Sequence, residues 1–242
     1  MRKYLLSIFF IGVLIKVANS QQFPIYTQHM GNPYVINPGF VAISGRPEIN
    51  LSYRQQWAGI DDGPRTIQAD GQLPIGKKIS LGLNIINDRS IILSQFTGFA
   101  TFGYRIPLSS KQQLSFGLSA GIISNQLQLD EIPDVDLIDP VLKDATNNID
   151  FDGQFGIGYT YGKLSIGFSL LKLVNGKPFY NGETLSEYEF DPFKDKAGFI
   201  SYQFNLGGSV SFQPYFMYRS TFTGSEYFEG IGIFTLSKKF SV

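Results

Sequence analysis

The chain has no cysteine, one histidine and one tryptophan among its 242 residues. Without thiols it can build no disulfide framework, no thiol nucleophile and no thiolate metal site. Charge is also scarce. Asp, Glu, Lys and Arg make up 17% of the residues, against about 25% in soluble domains. Beyond the N-terminus no apolar run reaches the ~18 residues that a membrane-crossing helix needs, which excludes helical spans there. What the chain has in quantity is glycine, 26 residues, and aromatic rings, 15% of the sequence. Mean hydropathy is near zero, so the apolar residues are interleaved with polar ones rather than massed.

Residues 1–20 read as a signal peptide. Arg2 and Lys3 form the charged start, Tyr4 to Val17 the apolar run, and Ala18-Asn19-Ser20 a small-x-small cleavage site. The run is too short for an anchor helix. Without Arg2, Lys3 and Lys16 the basic count falls from 20 to 17 against 20 acidic residues, a net charge of −3. That balance argues against nucleic acid as a partner. Residues 21–47 have no period. They hold Asn32-Pro33 and Asn37-Pro38, pairs that start turns and keep the residue before each proline out of the helical region. We read this segment as an irregular N-terminal arm, lying across or inside the rest of the fold as a plug.

Residues 48–242 carry a period of two. In Leu164 to Leu170 the residues Leu164, Ile166, Phe168 and Leu170 share one face, and Ser165, Gly167 and Ser169 the other. Phe151 to Tyr161 alternates in the same way, and Gly162-Lys163 joins the two runs as a hairpin. Ten strand candidates result: Ile49–Gln56, Thr66–Leu73, Ile79–Asn87, Gln95–Ile106, Gln113–Leu127, Ile149–Tyr161, Leu164–Leu173, Ala197–Leu206, Ser209–Thr221 and Tyr227–Phe240. Most are longer than the usual globular strand of about 5–6 residues. They match the ~9–11 tilted residues that cross a bilayer.

The connections alternate in length. Pro74–Lys78, Pro107–Gln112, Gly162–Lys163 and Gly207–Gly208 are short. Trp57–Arg65, Asp88–Ser94, Gln128–Asn148, Val174–Lys196 and Phe222–Glu226 are longer. Short turns at one end and long loops at the other are the pattern of outer-membrane barrels. The expected fold is therefore all-β, an antiparallel up-and-down transmembrane β-barrel of about ten strands. Its greasy face meets lipid, and the sheet closes because backbone groups in hydrocarbon must pair internally. Tyr53, Tyr104, Tyr159, Tyr161, Tyr202 and Tyr218 sit near strand ends, where aromatic girdles belong. A soluble sandwich or lipocalin-like barrel would have shorter strands and more Lys and Glu on its polar face.

The inventory offers little for catalysis. His29 is the only histidine, and no Ser or Asp partner is placed beside it, so a hydrolase would lack its usual general base. The Gly-rich stretch Gly153 to Gly158 lies inside a strand with no helix after it, so it is not a phosphate loop. On the inward face such glycines let the backbone curve and leave room for a plug. Asp130, Glu131, Asp134, Asp136 and Asp139 cluster in one long loop, but their spacing is not that of an EF-hand. No cofactor and no metal are expected. Arg54, Asp70 and Arg105 fall on polar strand faces. Charge on a lipid face costs roughly 2–4 kcal/mol at midplane, which sends them to the lumen, paired with one another or with the arm. The loop Val174–Lys196 holds Phe179, Tyr180, Tyr188 and Phe190. Exposed aromatics are costly unless they pack or bind, so these four, with Asp134 and Asp136, are the candidate partner-binding residues.

The N-terminal third carries a recognisable combination. Tyr26 and Gln28 open it, followed by Asn32-Pro33, Asn37-Pro38-Gly39 and Gly45. Tyr53-Arg54-Gln55-Gln56-Trp57 then ends a strand, and Gly59, Asp61, Asp62, Gly63 and Pro64 form the turn after it. The run from Phe23 to Ile75 resembles the start of PorP/SprF proteins, type IX secretion system membrane proteins of the Bacteroidota, and the resemblance continues more loosely to about Tyr218. It implies an outer-membrane barrel without catalytic activity, associated with secretion and often with gliding motility. It further implies docking of a secreted surface protein through its C-terminal signal domain, and contact with periplasmic secretion-ring components. Barrels of the family are expected to have about fourteen strands, so the ten counted here point to a smaller barrel or a shortened chain. A passive diffusion channel is the alternative function.

Overall fold

Glu48–Gln55 alternates half-buried and exposed residues along its whole length, as a strand must when only one face has something to pack on. The same alternation builds the rest of the molecule. The computed structural model describes residues 29–57, 59, 63–90, 93–127, 147–174, 191–207, 209–221, 224–236, 240 and 241. These contain β1 (Glu48–Gln55), β2 (Arg65–Ile75), β3 (Ile79–Arg89), β4 (Leu93–Pro107), β5 (Gln112–Leu127) and β6 (Asn147–Tyr161). They continue with β7 (Leu164–Leu170), β8 (Lys196–Tyr202), β9 (Phe204–Gly207), β10 (Val210–Ser220), β11 (Glu226–Leu236) and β12 (Phe240–Ser241). All lie in one antiparallel sheet in sequence order, with β9 beside β10. This is the up-and-down sheet of a membrane barrel. Among the described residues, β1 and β12 are not hydrogen-bonded to each other.

Ten expected strands become twelve, for two reasons. The run Ala197–Leu206 breaks at Gln203, whose N–H donates to the Lys163 carbonyl in the neighbouring hairpin turn. The register beyond it slips at Val210/Ser211. β8 pairs with both β7 and β10, whereas β9 has only β10 beside it, because β7 ends at the Gly162–Lys163 turn. The run Tyr227–Phe240 divides because apolar alternation stops at Leu236, and Phe240 returns to pair with Leu236.

The outward positions are greasy throughout. Every strand from β1 to β11 exposes large apolar side chains, from Ile49 at 82% to Phe228 at 77%. Water-soluble monomers rarely expose apolar patches beyond a few hundred Å²; lipid covers such a surface at no cost. Tyr104, Tyr161 and Tyr202 lie outward at the end that carries the short turns. Tyr53 and Trp57 lie outward at the end that carries the long connections. The inward positions are mostly small or polar, with a few large side chains such as Phe99, Phe199 and Tyr215 among them. One row across the sheet, given by the strand register, reads Ser80, Gly103, Gly117, Gly156, Ser169 and Ala197. The hydrophobic core lies on this inner side. Val35, Ile36 and Phe40 pack there against Phe199 of β8 and Tyr215 of β10.

Candidate functional site

Residues 29–43 of the arm lie inside the curved sheet, and residues 44–47 lead out of it to β1. Two 3-10 turns, Pro33–Val35 and Pro38–Phe40, give this segment its shape. Each begins with a proline, whose missing N–H and fixed φ suit the first helical position. The asparagines before them have different tasks. Asn37 Oδ1 accepts the Gly39 N–H at 2.8 Å and caps its turn. Its Nδ2 donates to the carbonyls of Ile157 and Phe168 at 3.0 and 3.1 Å, gripping β6 and β7. Asn32 makes no cap. It donates to Asp70 Oδ2 at 2.7 Å and accepts from Gln72 at 3.0 Å, both on β2.

Other bonds fix the arm from every side. The Tyr34 hydroxyl meets Thr101 Oγ1 at 2.8 Å, and that oxygen meets Ser119 Oγ at 2.7 Å. Ser169 donates to the Ile36 carbonyl at 2.7 Å. Ala42 donates its N–H to Gln72 Oε1 at 2.8 Å, and its carbonyl accepts from Arg105. Between these two anchors Ala42 holds φ at +49°, a left-handed conformation that an alanine rarely adopts unless held there. Each such bond contributes about 0.5–1.5 kcal/mol net, so the arm is held by many contacts rather than by one.

The inward glycines give the arm its space. A Cβ on Gly117 would overlap the Pro38 carbonyl and the Gly39 nitrogen. A Cβ on Gly156 would overlap Asn37 Oδ1, and one on Gly103 would overlap Val41. The arm and the sheet are therefore in backbone contact where β5 and β6 pass beneath the second turn.

The arm also joins the two ends of the sheet. His29, 1% exposed, places Nε2 3.2 Å from Glu229 Oε2 on β11 and its ring 5.2 Å from that of Tyr215 on β10. Three residues later, Asn32 bonds to Asp70 of β2, which also accepts from Asn50 of β1 at 3.0 Å. Three residue steps reach at most about 11 Å. The first and last long strands are tethered from within by this short segment.

At the end with the long connections, Asp152 fixes the chain after β7. Its Oδ1 accepts the N–H groups of Gly153 at 2.7 Å and of Leu173 and Val174 at 3.1 Å each. Here the run expected to Leu173 ends as a strand at Leu170: Leu171 still donates to the Asp195 carbonyl in line with the β7–β8 pairing, and Leu173 turns to the carbonyl of Gly153. Burial holds the Asp195 carboxyl above its usual range, against the pull of Arg219 and Lys172. Asp152→Ala should cost about 2–3 kcal/mol. It should raise amide exchange at Leu173 and Val174 at least about tenfold by mass spectrometry, whereas Asp152→Asn, which keeps an acceptor, should have a smaller effect.

A family model described as type IX secretion system membrane protein PorP/SprF matches residues 18–241. The chain belongs to the PorP/SprF family. Comparison with curated proteins gave no match, and neither did comparison with solved structures. In this PorP/SprF protein the motif residues occupy distinct places. Asn32, Pro33, Asn37 and Pro38 build the arm. Tyr53 points outward and Arg54 inward on β1. The Gln56 N–H closes the following connection onto the Pro64 carbonyl at 2.8 Å. Trp57 turns the chain there with φ at +55°. Asp70 and Arg105 reach the arm through Asn32 and Ala42. Asp134, Asp136, Phe179, Tyr180, Tyr188 and Phe190 lie outside the described residues. Tyr34, Phe40 and Ala42 carry no motif that singles them out in the sequence. The one signal that finds them is their position between two Asn-Pro turns and a Gly-rich inward face.

Proposed function

We propose that this chain is a non-enzymatic outer-membrane barrel, plugged by its own arm, that holds a secreted surface protein at the cell exterior through that protein's C-terminal signal domain. Family membership supports a part in type IX secretion. The observation that carries the plugged reading is the arm itself. Asn37, Phe40 and Val41 are buried inside the sheet, on the inward glycines that would otherwise line an open path. A diffusion channel needs that path free of packed backbone.

In this reading the long connections face the exterior and the short turns the periplasm. Asp134, Asp136, Phe179, Tyr180, Tyr188 and Phe190 belong to the partner-binding loops, and secretion-ring components meet the short turns. The exported chain begins at Gln21 after signal cleavage, which N-terminal sequencing of the membrane-inserted protein tests. Gliding motility would depend on the protein through the surface partner it holds.

Two measurements test the role. In planar bilayers the full chain should give no steady current, and deletion of residues 21–47 should open one; steady current from the full chain would falsify docking and favour the channel. Affinity capture from detergent-solubilised outer membranes should recover a large exported protein with a C-terminal sorting domain. Recovery of the folded barrel alone would count against docking.

A further inference from the structure

A cavity of about 320 Å³ lies above the arm at the end with the long connections. That is near the lower bound of the range that ligand sites occupy, about 300–1,000 Å³. Val35 and Ile36 of the arm form part of its lining, with Phe99 of β4 beside them. Asn84, Asp195 and Arg219 also line it.

Those three share a second property. Among the described residues, Asn84 Oδ1, Asp195 Oδ1 and Arg219 Nε are buried and have no hydrogen-bond partner. Asn84 is only 8% exposed. Arg219 Nη2 stands 4.0 Å from Asp195 Oδ1, an ion-pair contact too long for a hydrogen bond. Buried polar groups are nearly always satisfied. Three that are not, around one cavity, describe the complement of a guest that donates to two acceptors and accepts from one donor.

The charge around the cavity narrows the chemistry. Asp152 and Asp195 face Lys172 and Arg219, so the lining has no net charge to favour a phosphate or a metal cation. Hydroxyls of a sugar would meet Val35, Ile36 and Phe99 and lose their own partners there. A peptide group brings one N–H and one C=O, and an aliphatic side chain suits the apolar part. We propose that this cavity takes an aliphatic residue of a polypeptide entering from the long-connection end, its flanking peptide groups bonding to Asn84, Asp195 and Arg219. The proposal deepens the docking function and rests on it, since the polypeptide is a segment of the docked protein.

The test uses the full chain in detergent with N-acetyl-leucine amide, N-acetyl-glycine amide and N-acetylglucosamine as probes, read by saturation-transfer NMR. The leucine probe should bind in the millimolar range and the glycine probe about tenfold more weakly, the loss of roughly 1.4 kcal/mol of apolar contact. Asn84→Ala should weaken the leucine probe about tenfold while the barrel keeps its heat-modified gel shift. Thr97→Trp, which fills the cavity, is the second variant and should abolish binding. Equal binding of the leucine and glycine probes, binding unchanged in both variants, preference for the sugar, or no binding at all would each overturn the proposal. Affinity capture is run alongside. A chain that captures a secreted protein but ignores the leucine probe sinks the cavity and leaves docking standing. A chain that binds the probe but captures nothing supports the cavity and sinks docking.

Discussion

Asn37→Asp is expected to release the arm from the lumen at neutral pH. The side chain is 0% exposed, and its amide donates to two carbonyls at 3.0 and 3.1 Å. A carboxylate in its place has no hydrogen to give and turns like charge towards both oxygens. Burying an unpaired charge costs several kcal/mol, more than any one of the arm's other bonds returns. Asn37→Ala is milder, about 2–4 kcal/mol, because it leaves two carbonyls and one N–H short of a partner without adding charge. The absence of cysteine gives a clean readout. Val41→Cys places a lone thiol of similar size within the buried arm. It should resist a maleimide in the parent and react quickly with Asn37→Asp. The pH dependence has a definite sign. Protonation restores one donor, so lowering the pH should re-seat the arm of Asn37→Asp and slow labelling, with no such trend for Asn37→Ala. Slow labelling of Asn37→Asp at neutral pH would show that this asparagine is not what holds the arm.

The strands were legible because their physics is local. A side-chain period of two is written in ISLGLNI and LSIGFSL, and no neighbour is needed to read it. The alternation of connection lengths placed the two ends of the sheet by the same kind of counting. The break at Gln203 was not legible, because alternation runs unbroken through ISYQFNL and the break lies in the pairing with distant neighbouring strands. The arm shows the same division. Asn-Pro pairs announce turns, so an irregular segment was expected. The partners of Asn37 lie 120 and 131 residues away, and no local pattern names them. Arg105 and Asp70 were expected in the lumen on the cost of charge in lipid, and that argument needs only the face of the strand. Which arm atoms they meet, those of Ala42 and Asn32, depends on how deep the arm sits. The cavity lined by Asn84, Asp195 and Arg219 had no signal in the sequence at all, since it draws on β3, β10 and the turn before β8.

Gly117→Val is expected to keep the barrel and lose the plug. Valine is among the best strand residues, and position 117 pairs with Gly103 and Gly156 in the middle of an unbroken register. The ladder therefore has no reason to fail. The conflict is with the arm. The added Cβ would sit on the Pro38 carbonyl and the Gly39 nitrogen, which are backbone atoms of a turn capped by Asn37. A side chain can swing away from such a clash; a capped turn moves only as a whole. Overpacking costs typically 1–3 kcal/mol where side chains can adjust, and here they cannot. At about 3 kcal/mol the balance between seated and released arm shifts roughly a hundredfold. Labelling at Val41→Cys should rise by a similar factor, and planar bilayers should show more current than the parent gives. Gly230→Val is the control. That glycine lies on the outward face, where a Cβ meets only the Phe216 ring at 3.5 Å, so it should change neither readout. If Gly117→Val stays silent in both while folding normally, the arm does not depend on backbone contact with β5. If it opens the lumen, the inward glycines are there to admit the arm and the sealed barrel follows from them.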